Sequence, residues 1–131
     1  MSNVKNKNEI YKCEVCGNII EVLSVGGGEL VCCQKPMSHI RENSIDAGKE
    51  KHIPIVKIEN DKMLVTVGEI KHPMSDEHYI QWIEVILGEK IYRKNLKPNE
   101  NPNTTFEILN HSKEIIVRAY CNIHGLWISK H

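Results

Sequence analysis

From residue 52 onward, apolar and polar positions alternate in short runs and do not recur at helical spacing. "IPIVKIE" and "KMLVTVG" flank Asn60-Asp61, a dipeptide that favours a tight hairpin turn. "HYIQWIEVILG" and "EKIYRKNL" meet at Gly88-Glu89, and "TTFEIL" and "KEIIVRAYC" flank "NHS" at residues 110–112. "KPNENPNTT" is a Pro/Asn loop, and "GLWISKH" ends the chain. Seven short strands rich in Ile and Val, with turn signals between them, predict a β-sandwich of immunoglobulin-like type. No long amphipathic helix is present in the pattern.

The first forty residues follow a different rule. "YKCEVCGNIIEVLSVGGGELVCCQKPM" has the spacing C-x2-C-x15-C-C, and "GNIIEVLSVGGGEL" reads as two short strands around Gly26-Gly27-Gly28. That turn brings Cys32 and Cys33 back toward Cys13 and Cys16. A unit this small buries little surface and needs a metal or disulfides to fold. Four thiolates around one ion supply on the order of 10 kcal/mol to folding. Adjacent Cys32 and Cys33 must splay to reach one ion, so the tetrahedron is expected to be distorted. Spacing alone does not choose between zinc and iron. The expected organisation is a four-cysteine metal domain at 1–38, a linker and loop at 39–51, and the sandwich at 52–131.

The totals narrow the function classes. Zero formal net charge argues against a broad basic face for nucleic acid. No apolar run approaches the ~20 residues that span a bilayer. The polar start "MSNVKNKNEI" lacks the apolar core of a signal peptide, which points to a cytoplasmic protein. In a reducing compartment, clustered cysteines serve as metal ligands or redox groups more often than as disulfides.

If each strand crosses the sandwich once, the turns at 60–61, 88–89 and 110–112 share one end. The connections at 69–77, 95–103 and 122–125 share the other. His52, His72, His78 and His124 all fall at that second end, together with Cys121, the one cysteine outside the N-terminal set. Four imidazoles and one thiolate make five donors. Around an octahedral metal they leave one position open, an arrangement suited to chemistry, and a single thiolate favours a redox metal. The simplest geometry has four nitrogens in a plane and sulfur on the axis. Glu50 and Lys51 immediately precede His52 and can reach the open position. Lys51 would attract a small anion and speed its encounter, and Glu50 would cap the metal or order water. Trp127 follows His124 closely enough to wall the site, or else belongs to the core with Trp82, Tyr79 and Tyr120.

Taken in order, "YKCEVCG", "CC", "EKHIP", "KHPM", "HYIQWIE" and "CNIHGLW" resemble the desulfoferrodoxin family, the two-iron superoxide reductases, over essentially the whole chain. The resemblance implies a desulforedoxin-like domain with iron on Cys13, Cys16, Cys32 and Cys33. It also implies an immunoglobulin-like domain with iron on His52, His72, His78, His124 and an axial Cys121. It further implies reduction of superoxide to hydrogen peroxide without dioxygen production, a rubredoxin-like electron donor, and a cytoplasmic homodimer. Two alternatives are a non-catalytic iron electron-transfer protein and a zinc-ribbon adaptor; two irons per chain, or one zinc and no iron, separates the reductase from the adaptor.

Overall fold

The computed structural model describes residues 3–44, 52–108 and 114–131. The chain divides into two compact units, Met1–Arg41 and Glu42–His131. All regular structure among the described residues is β.

In the first unit, β1 (Ile10–Lys12) pairs antiparallel with β2 (Ile19–Glu21) on one side. A two-stranded hairpin follows, β3 (Val31–Cys32) with β4 (Lys35–Pro36). Then β5 (Ser38–Ile40) returns to the free side of β1. The core holds Val4, Tyr11, Cys13, Val22 and Met37, with Leu30 and Cys32 packed against it. Cys13 therefore belongs to this core and Cys32 packs on it, which ties what packs the unit to what would hold a metal.

The expected hairpin across Gly26-Gly27-Gly28 does not form. Gly27 and Gly28 both take positive φ, 79° and 74°, and the chain beyond them is caught by the N-terminal segment. The Val4 N–H donates to the Gly28 carbonyl at 2.9 Å, and Asn3 bridges Glu29. The same glycines thus fold Cys32 and Cys33 back by a different route.

The expected linker at 39–51 also needs correction at its start. His39 and Ile40 lie in β5, where the His39 ring stacks on Tyr11 at 5.0 Å. Glu42 and Asn43 form β6, which opens the second unit. Backbone pairing at both ends claims residues whose polarity reads as loop. The remainder, 45–51, lies outside the described residues.

In the second unit all seven expected strands are present: β7 (Pro54–Glu59), β8 (Lys62–Val67), β9 (Ile80–Leu87), β10 (Lys90–Asn95), β11 (Asn103–Glu107), β12 (Ile116–Cys121) and β13 (Gly125–Lys130). They form two sheets, ordered β10-β9-β12-β13-β6 and β11-β8-β7. Every pairing is antiparallel except β13 with β6. At the β7–β8 turn, Asn60 and Asp61 both take positive φ, as a two-residue turn matched to strand twist requires. The turn expected at 110–112 lies outside the described residues.

Side chains at every second position face the core between the sheets. Met63, Val65 and Val67 come from β8; Ile83, Val85 and Leu87 from β9; Val117, Ala119 and Cys121 from β12. The opposite face of the larger sheet carries a charge ladder. Glu84 stands directly across from Arg93 on β10 and from Arg118 on β12. Its carboxylate bonds both guanidinium groups, through Arg93 Nε at 3.1 Å and Arg118 Nε at 2.8 Å. Arg118 also reaches Glu42 on β6 at 3.0 Å. Glu84 and Arg118 are 0% and 2% exposed.

A buried charge left without its partner costs about 3–5 kcal/mol, whereas apolar residues in place of both are often neutral. Arg118→Met, which leaves the buried Glu84 carboxylate its bond to Arg93, should therefore lose less stability than that in urea unfolding. Glu84→Leu combined with Arg118→Met should recover most of it. Equal losses in the single and double variants would contradict this account.

Candidate metal centres

The first cluster forms from two turns. Cys13 and Cys16 lie on a turn closed by the Gly17 N–H donating to the Cys13 carbonyl at 2.9 Å, with Gly17 at φ 84°. This aims amides at sulfur: the Cys16 N–H donates to Cys13 Sγ at 3.4 Å and the Asn18 N–H to Cys16 Sγ at 3.5 Å. Such bonds favour the thiolate. The Cys13 thiol is lowered to about 6, first by the Cys16 N–H.

Cys32 and Cys33 splay because the β3–β4 turn runs through left-handed backbone, with Cys33 at φ 50° and Gln34 at φ 65°. That conformation costs about 1–2 kcal/mol for a residue with a side chain. It swings two adjacent sulfurs to one side. Cys16 and Cys32 Sγ lie 3.7 Å apart, Cys32 and Cys33 Sγ 3.9 Å, and all four sulfurs lie within 4.8 Å of one another. A tetrahedron with metal–sulfur bonds of about 2.3 Å has edges of about 3.8 Å, so the sulfurs are spaced for one ion. Without one they oppose each other's ionisation: Cys33 is pushed up to about 12, chiefly by its sulfur neighbours Cys16, Cys13 and Cys32.

The second cluster occupies one end of the sandwich, as the strand bookkeeping predicts. His52 precedes β7, His72 and His78 lie on the β8–β9 connection, Cys121 ends β12, and His124 lies on the turn into β13. Donor atoms of His52, His72, His78 and Cys121 lie within 4.8 Å of one another. His124 joins them, with Nδ1 3.1 Å from His52 Nε2 and 3.8 Å from Cys121 Sγ.

The four imidazoles close a ring. Centroids of 52–72, 72–78, 78–124 and 124–52 are separated by 4.7, 4.8, 5.0 and 4.8 Å, with neighbouring planes at 68° to 83°. Near-perpendicular blades let four nitrogens share one centre without steric conflict. Cys121 is the innermost donor, wholly buried, while His124 is exposed. The sulfur thus reaches the site from the core between the sheets.

Local contacts set the rings. His72 Nδ1 donates to the Pro73 carbonyl at 2.7 Å, which fixes its proton there and leaves the Nε2 lone pair free to ligate. That Nε2 is buried with no hydrogen-bond partner among the described residues. Burial, with the neighbouring histidines, lowers His72 to about 4, so it is neutral at pH 7. Burial also pushes the Cys121 thiol up, while the N–H groups of His124 and Ile123 pull it back. A buried, tautomer-fixed imidazole with an unused lone pair, beside a buried thiol, fits a metal ion. A mixed nitrogen and sulfur set with one thiolate suits iron.

Trp127 acts at the site, not in the core. Its ring stacks on His52 at 4.7 Å and 17°, and its Nε1–H donates to the His124 carbonyl at 3.2 Å. The Pro73 carbonyl and this stack are contacts that spacing alone does not reveal. Trp82 and Tyr120 instead stack on each other at 4.6 Å, on the sheet face away from the core. Glu50 and Lys51 lie outside the described residues.

An all-β chain with a four-thiolate site and a separate site of four imidazoles and one thiolate is a metalloprotein with two centres of iron-binding chemistry. Its family follows from comparison: residues 44–130 match Desulfoferrodoxin and residues 5–40 match the Desulfoferrodoxin N-terminal domain, and the chain belongs to the desulfoferrodoxin family. It is 52% identical to a desulfoferrodoxin of Syntrophotalea carbinolica, over 95% of this chain and 97% of that one. A desulfoferrodoxin homolog of Methanothermobacter thermautotrophicus is 50% identical over 92% and 96%. Among solved structures, the superoxide reductase from Treponema pallidum aligns with a TM-score of 0.75 at 25% identity, covering 92% of this chain and 96% of that one.

Replacing Cys121 by Ser should abolish the sulfur-to-metal absorption of the second centre and leave that of the four-cysteine centre intact. An unchanged visible spectrum would exclude Cys121 as a ligand.

Proposed function

We propose that the chain is a superoxide reductase, taking one electron and two protons to convert superoxide to hydrogen peroxide. The carrying observation is the asymmetry of the second site: the Cys121 sulfur is wholly buried in the core, whereas His124 is exposed, so the donor set runs from the core to the surface. A small molecule can therefore reach the site from the side of His124. Iron bound at this centre would supply the electron. His52, His72, His78, His124 and Cys121 would hold it. Cys13, Cys16, Cys32 and Cys33 would hold a second iron. The family and the Treponema pallidum likeness support this reading.

The chain's own residues prepare the site for an anion. The Pro73 carbonyl and the Trp127 stack hold His72 and His52, so little reorganisation accompanies reaction. Lys51 draws superoxide toward the open face, and Glu50, next to it, orders water that delivers protons. Both sit directly before His52, which supports these roles.

We also propose that the protein works in the cytoplasm as a homodimer supplied with electrons by a rubredoxin-like donor. Five cysteines, none bridged to another, suit a reducing compartment. No helix among the described residues is long and apolar enough to cross a membrane.

The test is stoichiometry. With a reductant present, each superoxide consumed should yield one hydrogen peroxide and no dioxygen. Half that peroxide with matching dioxygen would indicate dismutation and overturn the proposal. Lys51→Ala should slow the reaction with superoxide and flatten its dependence on ionic strength; an unchanged rate would remove the steering role.

A further inference from the structure

The loop that carries His78 is held from the strand end that carries Cys121, and one side chain makes most of that link. Asn122 Oδ1 accepts the Tyr79 N–H at 3.0 Å, and Asn122 Nδ2 donates to the Glu77 carbonyl at 3.0 Å. Its own N–H donates to the Tyr79 carbonyl at 3.2 Å. The residues gripped are those immediately before and after His78. From the other side, Ser75 closes a tight loop: Ser75 N–H donates to the His78 carbonyl at 3.0 Å and Ser75 Oγ accepts the His78 N–H at 3.2 Å. The His78 backbone is thus clamped between Ser75 and Asn122.

The strand pairing explains why such a clamp is needed. β12 and β9 run in register from Ile116 and Ile86 to Tyr120 and Trp82, then shift, so that Cys121 faces Ile80. The ladder becomes irregular at the point where Cys121 must meet the histidine loop. Beyond it the ordinary ladder no longer fixes the distance between Cys121 and His78, and the Asn122 amide takes over. An amide is suited to this because one end accepts and the other donates, matching one N–H and one carbonyl two residues apart.

We infer that Asn122 is a positioning residue that sets His78 against Cys121, so that imidazole and thiolate are presented to one ion. This rests on the metal-site reading above but not on the choice of substrate, and it is tested on metal retention.

In the full chain loaded with both metals, loss of metal to a chelator is followed by the sulfur-to-metal absorption of each centre. The four-cysteine centre serves as reference within each sample. Asn122→Ala should weaken retention at the second centre by about ten- to a hundredfold, the usual effect of removing a group that orients a ligand. Asn122→Asp, which keeps the acceptor for Tyr79 but loses the donor to Glu77, should fall between. In a His78→Ala background, Asn122→Ala should add little further loss, because its effect passes through His78. Additive losses in the two variants, or retention at the second centre equal to the parent's, would overturn the inference. So would parallel loss from both centres, the mark of general unfolding. Failure of the superoxide stoichiometry would leave these outcomes untouched.

Discussion

Donor groups crowded together out of water oppose one another. Four sulfurs within 4.8 Å cannot all ionise, and a buried imidazole with an unused lone pair has given up water without replacement. Both units carry this burden, and a cation relieves it in each. Burial that would otherwise destabilise the fold becomes affinity, because the free energy of binding the ion is gained only in the folded state. The second unit can carry this cost because its core is continuous and mostly Ile, Val, Leu and Met, with Cys121 the one ligand in it. The first unit has no such reserve, since its small core includes the ligand Cys13 and has the ligand Cys32 packed against it.

The two centres differ accordingly. The four-cysteine site is built from turns, with Gly17, Cys33 and Gln34 in left-handed backbone and amides directed at sulfur. Its geometry is local. The histidine site draws donors from four separate places in the chain and relies on the sandwich to bring them together. Local strain holds the first; long-range packing, the Pro73 carbonyl and the Trp127 stack hold the second.

Alternation and turn residues made the seven strands of the sandwich legible, and with them the end at which His52, His72, His78, Cys121 and His124 meet. Counting crossings needs only that each strand span the sandwich once. Other features were hidden for definite reasons. β6 is two polar residues paired in parallel with a distant strand, and nothing in Glu42-Asn43 announces a partner so far along the chain. The N-terminal segment captures Gly28 and Glu29 through backbone groups, which have no sequence signature. Glu84, Arg93 and Arg118 read as surface charge until register places them side by side. Asn122 reads as a turn residue, and its grip on either side of His78 depends on a loop forty residues away along the chain.

Cys121 is the last member of an inward row that begins with Val117 and Ala119. Because side chains change face at every residue, pairing β12 one position out of step would turn the sulfur away from the core between the sheets and set Arg118 among its apolar side chains. An ion can be captured only when that strand is correctly aligned. Metal uptake therefore proof-reads strand alignment, and a loaded second centre certifies that the sandwich beneath it has been correctly put together.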